Sequence, residues 1–126
     1  MISELTSAKN DAPLLVACLC ARWCNTCCDY QATFWRIREE FPTVRFIWID
    51  IEDESETVEP VEVENFPTIL ISASGQPRFF GTVTPHGQTL RALIASNTEP
   101  QPWRGAADVT ELAQRLEKTQ PATRSS

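Results

Sequence analysis

The chain has 126 residues, 42% apolar and 22% charged, which suits one compact domain with a real core and excludes a disordered, collagenous or disulfide-stapled chain. Eleven Lys and Arg against seventeen Asp and Glu leave a formal net charge of -6 with no basic stripe, so nucleic acid is excluded as a partner: the phosphate-neutralising energy is missing. No apolar run approaches the roughly eighteen residues of a membrane span, and Met1-Ile2-Ser3-Glu4 has no basic leader region, so a cytoplasmic location is expected.

Met1 to Asn10 leaves room for one short helix at most. Leu14 to Cys20 is a continuous apolar run, the pattern of a central strand covered on both faces. From Cys27, the apolar positions Tyr30, Phe34, Ile37 and Phe41 recur at spacings of three and four, which predicts a helix beginning near Cys24 and stopped by Pro42. Val44 to Ile51 is β-branched and aromatic and reads as a second strand, parallel to the first across the helical crossover.

Asp50 to Glu64 carries eight acidic residues and no basic one, with Pro60 among them; this predicts a solvated connection with at most a short helix, or else a docking surface for a basic partner. Thr68 to Ala73 and Arg78 to Val83 read as an antiparallel hairpin around Ser74 to Pro77, making the sheet mixed. Leu90, Leu93 and Ile94 mark a helix that follows Pro85 and His86 and ends near Asn97. After a linker at 98–105, Asp108 and Glu111 suggest a capping box for a further helix carrying Val109, Leu112, Ala113 and Leu116, and Gln120 to Ser126 is a polar tail expected to fray. The expected division is a domain over 1–97, with 98–126 supplying the linker, the added helix and the tail.

All five cysteines lie between Cys18 and Cys28, an odd and clustered set that points to chemistry or metal rather than structural bridges. Trp23-Cys24-Asn25-Thr26-Cys27 stands where a buried strand hands over to a helix, and unpaired N-H groups with the helix dipole favour an anion there. Cys24 is thus the expected attacking sulfur, and Cys27, one turn along on the buried stripe, the resolving one. Cys18 and Cys20 share one face of their strand, and Cys28 lies around the helix from Cys27; these three are inert fillers or accessory thiols. A single histidine, His86, gives no support to a Cys2His2 site or a cysteine protease, and no phosphate loop or dinucleotide fingerprint is present.

The WCNTC motif, the apolar strand before it, the periodic helix after it and Phe66-Pro67-Thr68 opening a later strand resemble the thioredoxin family over roughly residues 13 to 97. The resemblance implies a thioredoxin fold of the α/β class: a central mixed sheet of about four strands flanked by helices, here with a shortened N-terminal edge and an added C-terminal helix. It implies a redox-active Cys24-Cys27 disulfide, a cis Phe66-Pro67 peptide against it, and a substrate-docking surface of Trp23, Phe66, Pro67, Thr68 and Gly81. The alternative readings are Pro67 as a trans residue opening an edge strand, Trp23 as core packing and Gly81 as a turn or bulge glycine.

Asn25-Thr26 is neither Gly-Pro nor the His-containing pair of the strongly oxidising relatives, and two buried positions also depart from the family's pattern. Cys18 stands where relatives carry a buried Asp that takes the proton of the resolving thiol, and Trp48 where they often carry a neighbouring charge, which implies a drier interior beneath the active cysteines. The implied function is thiol-disulfide exchange with protein clients, the pair being re-reduced by a thiol or protein electron donor, with no organic cofactor and no metal. The alternatives are a thioredoxin-like adaptor without turnover and, at lower weight, a metal module built on Cys18, Cys20, Cys24 and Cys27.

Overall fold

A computed structural model describes residues 14–100 and 102–118. The expectations for Met1 to Asn10, for the shortened N-terminal edge and for the Gln120 to Ser126 tail lie outside the described residues.

The elements follow as β1 (Leu14–Cys20), α1 (Asn25–Glu40), β2 (Arg45–Asp50), α2 (Ser55–Val58), β3 (Thr68–Ala73), β4 (Gln76–Thr82), α3 (Gly87–Ser96) and α4 (Ala107–Lys118). Four strands form one mixed sheet in the order β2-β1-β3-β4, with β1 parallel to β2 and antiparallel to β3. Every residue of β1 is buried, because the sheet is covered on both faces.

Alternation along β1 divides the core in two. Val16, Cys18 and Cys20 face α1 and α3, where Cys27, Tyr30, Phe34, Ile37, Leu90 and Ile94 pack on them. Leu15, Ala17 and Leu19 face the other way, onto Val109, Leu112, Ala113 and Leu116 of α4 and Val58 of α2. The C-terminal helix therefore packs its apolar side on this face of the sheet, with Val58 beside it.

Three local readings change. The hairpin turn is only Ser74-Gly75, with φ of 52 and 80 degrees, the left-handed pair that matches the twist of the flanking strands. Consequently Gln76 and Pro77 belong to β4; the register shift between Ile71 and Ser72 absorbs an extra residue, and an edge strand tolerates a proline without an N-H. The Asp108-Glu111 capping box does not form. Ala106 carbonyl already accepts the Val109 N-H at 3.2 Å and the Trp103 indole N-H at 3.0 Å, so Asp108 sits inside the first turn and Glu111 pairs with Arg115 at 2.9 Å instead.

Candidate active site

β1 delivers Cys20 at its end and α1 begins at Asn25, so Ala21 to Cys24 turn the chain from sheet to helix. The Cys24 N-H closes this turn on the Ala21 carbonyl at 3.0 Å, and the Cys24 carbonyl accepts the Cys28 N-H at 3.1 Å. Cys24 is the N-cap of α1, extended at φ -91 and ψ 121 degrees, and its side chain makes no capping bond. Cys24 is half-buried and packs against the α1 side of the core. Cys27, one turn on, is 2% exposed.

The sulfur pairing differs from expectation. Cys27 is bonded to Cys20, across a Cα–Cα distance of 5.8 Å, while Cys24, Cys18 and Cys28 carry free thiols. The Cys24-Cys27 bond is thus not the one closed here, and Cys20 is no inert filler. The reason is tertiary: the last residue of β1 lies directly under the first turn of α1, so Cys27 has a sulfur beneath it as well as one a turn before it. Cys18 Sγ lies 3.8 Å from Cys20 Sγ. Cys28 is exposed, its thiol 3.6 Å from the Arg22 carbonyl.

Beneath the sulfurs the interior is apolar. Cys18 is wholly buried opposite Trp48, and burial pushes its thiol well above the ordinary thiol range. Burial, followed by the nearby Cys18, likewise raises Tyr30, whose hydroxyl has no hydrogen-bond partner among the described residues. Trp48 fills the remaining space against Phe34 and Tyr30, with ring centroids 5.5 and 6.5 Å away.

Above them lies an aromatic surface. Trp23 is 65% exposed and stands edge-on to Phe66 at 5.6 Å. The Phe66-Pro67 peptide is cis, and the Pro67 carbonyl accepts the Val83 N-H at 3.0 Å. Thr68 is 3% exposed, its hydroxyl donating to the Asn65 carbonyl at 2.7 Å. Gly81 lies on β4 opposite Ile69, where an added Cβ would touch only the Phe79 ring, at 3.4 Å. The structure thus joins Trp23 to Phe66 and buries Pro67 and Thr68 beside them.

Sequence reasoning missed the part played by the acidic segment. The Trp23 indole donates to Glu52 at 2.9 Å, and Arg22 bonds Asp53 at 2.8 Å and approaches Asp50 at 3.8 Å. Asp50 in turn accepts the N-H groups of Glu52 and Asp53 at 2.9 and 3.2 Å. These carboxylates hold the active turn from across the fold, and no local pattern signals a partner about thirty residues away. A cleft beside Cys27 is lined by Arg22, Cys28, Gln31, Trp48 and Asp50. The four-thiolate alternative has two of its sulfurs bonded to each other, and among the described residues no group of three or more His, Cys, Asp or Glu is placed to hold a metal ion.

A mixed four-stranded sheet, helices on both faces and cysteines at the β1–α1 junction define a thioredoxin-like α/β fold. The family profile described as Thioredoxin matches residues 4–97, and the chain belongs to the thioredoxin family. It is similar to an H-type thioredoxin of Populus jackii, 27% identical over 73 residues, which are 58% of this chain and 52% of the other. A Fagopyrum esculentum H-type thioredoxin is 30% identical over 73 residues, 58% of this chain and 63% of that one. The match thus spans roughly half to two thirds of these relatives' own length. Among solved structures, Fasciola hepatica thioredoxin superposes with a TM-score of 0.63 at 22% identity, over 75% of this chain and 90% of that one. Trypanosoma brucei brucei thioredoxin gives 0.60 at 27% identity, over 76% and 84%. Among the described residues no helix is long and apolar enough to cross a membrane.

Proposed function

We propose that the protein is a thiol-disulfide oxidoreductase acting on protein disulfides. The Cys24 thiolate attacks one sulfur of the client's disulfide, forming a mixed disulfide and releasing the other client sulfur as a thiolate, which takes a proton. Cys27 then attacks Cys24 Sγ, closing Cys24-Cys27 and releasing the second client sulfur, so the client gains the two electrons the pair loses. A thiol or protein donor restores the dithiol. The single observation that carries this reading is the placement of Cys24: partly exposed, at the N-cap of a helix whose next turn supplies a shielded second cysteine.

Trp23, Phe66, Pro67, Thr68 and Gly81 are the proposed client-docking surface. Trp23 and Phe66 supply apolar contact beside the attacking sulfur, and the start of β3 offers backbone to an extended segment of the client. With Cys18 in place of a buried carboxylate, the proton of Cys27 leaves by water or backbone groups; the cleft beside Cys27 provides that route. A reducing compartment such as the cytoplasm keeps these thiols in the attacking form.

The test is insulin reduction with dithiothreitol as donor. Cys24→Ser abolishes the catalysed rate, while Cys27→Ser accumulates mixed disulfides with clients through Cys24. A Cys24→Ser protein that reduces insulin at the wild-type rate overturns the assignment.

A further inference from the structure

We propose that Cys20 is a third redox thiol: after each turnover it takes Cys27 from Cys24, moving the disulfide inward and leaving the oxidised chain with a free Cys24 at its surface. The inference rests on the exchange reading above and extends it.

Three sulfurs share one place in the fold. Cys20 ends β1, Cys24 caps α1, and Cys27 lies on the buried side of the first turn, within reach of both. The Cα–Cα separation of 5.8 Å between Cys20 and Cys27 falls within the span a disulfide bridges without backbone movement, and the structure holds that bond. The step is an isomerisation. The Cys20 thiolate attacks Cys27 Sγ, the Cys20-Cys27 bond forms, the Cys24-Cys27 bond breaks, and Cys24 leaves as a thiolate that takes up the proton Cys20 gave up. No electrons enter or leave, so no further oxidant is needed.

The neighbouring thiols do not substitute for Cys20. Cys18 shares its face, its sulfur 3.8 Å from that of Cys20, but the sulfur that meets Cys27 is Cys20's, at the strand end, and Cys18 remains a free thiol. Cys28 is exposed at the rim of the cleft, its thiol turned to the Arg22 carbonyl at 3.6 Å, and it remains free.

The two oxidised forms present different surfaces. The outward bond would include Cys24, a half-exposed residue at the helix start that a donor can approach; in the inward form both bonded residues are hidden, Cys20 at 1% and Cys27 at 2% exposure. The inward bond therefore stores the oxidised state out of a donor's reach until Cys24 reclaims Cys27. Where at least half of the oxidised chains are inward, re-reduction slows at least about twofold, because only the outward fraction reacts.

The experiment treats the oxidised full chain with iodoacetamide, removes the reagent, then splits the sample. One half is digested with trypsin, which separates Asn10–Arg22, carrying Cys18 and Cys20, from Trp23–Arg36, carrying Cys24, Cys27 and Cys28. The other half is reduced and assayed on insulin. The expected wild-type result is the two peptides joined to each other, Cys24 alkylated, and at least a twofold loss of the activity measured before alkylation. Cys20→Ser instead shows a loop within Trp23–Arg36, an unmodified Cys24 and the same activity it had before alkylation. Cys18→Ser follows the wild type. A wild-type protein with only the loop within Trp23–Arg36, protected as fully as Cys20→Ser, overturns the proposal, and this peptide map decides even if a variant fails to fold. Failure of the underlying exchange reading shows separately, as unalkylated Cys24→Ser protein reducing insulin at the wild-type rate.

Discussion

The family match ends at residue 97, yet α4 begins at Ala107 and packs its buried side into the core on one face of the sheet. Leu112→Ala tests whether that helix is part of the core. Leu112 is 0% exposed and belongs to the same buried cluster as Leu15, Leu19 and Leu70, so truncation removes most of a buried side chain and leaves a cavity walled by strands that cannot collapse onto it. Such changes cost about 2 to 5 kcal/mol, a large share of the roughly 5 to 15 kcal/mol that holds a domain together. Taking about 3 kcal/mol and a urea slope of about 1.5 kcal/mol per molar, the unfolding midpoint falls by about 2 M. The assay is equilibrium urea unfolding followed by tryptophan fluorescence and by circular dichroism, with exposed Lys118→Ala as a control expected within about 0.5 kcal/mol of the wild type. If Leu112→Ala shifts the midpoint no more than Lys118→Ala does, α4 is an appendage and the two-faced core described above is wrong.

Cys18→Asp places a carboxyl at a wholly buried site where burial already pushes the present thiol up. Its folded pKa is raised, by roughly 3 to 5 units, so the cost is absent below the unfolded value near pH 4 and grows as pH rises, reaching on the order of 4 kcal/mol by about pH 8; urea midpoints at the two ends that match would refute this. The same carboxylate gives Cys27 a proton acceptor, so the pH profile of insulin reduction changes, and an identical profile would count against proton release by water or backbone groups. Arg91 grips Glu40 with two bonds, at 2.7 and 2.9 Å, and its hydrogen bond holds that carboxyl below the usual range. Stability from this pair is present above the ordinary carboxylate range and lost as pH falls through the lowered value. Arg91→Met therefore flattens the acid limb of the stability curve, and high salt narrows the difference; parallel curves would refute it. Gly75→Ala forces φ of 80 degrees on a residue with a Cβ, 3.2 Å from Gln114 Cγ, and costs about 1 to 2 kcal/mol in thermal or urea unfolding. A neutral result would mean that the hairpin turn relaxes to another geometry.

Much of this protein was legible in the order of its residues. The apolar run at Leu14–Cys20, the three-and-four spacing from Cys27 to Ile37 and the alternation around Ser74-Gly75 are short-range signals, because strand and helix periods repeat within a few residues. They placed Cys24 at a helix start and Cys27 on its buried stripe. Contacts between elements left no such trace. That Glu52 holds Trp23, that α4 seals the face made by Leu15 and Leu19, and that Cys20 lies under Cys27 depend on how separately readable pieces dock. A cysteine's bonding partner is whichever sulfur the packed backbone brings within reach. For Cys27 the sequence offered the neighbour one turn away; only the meeting of strand and helix added the one below.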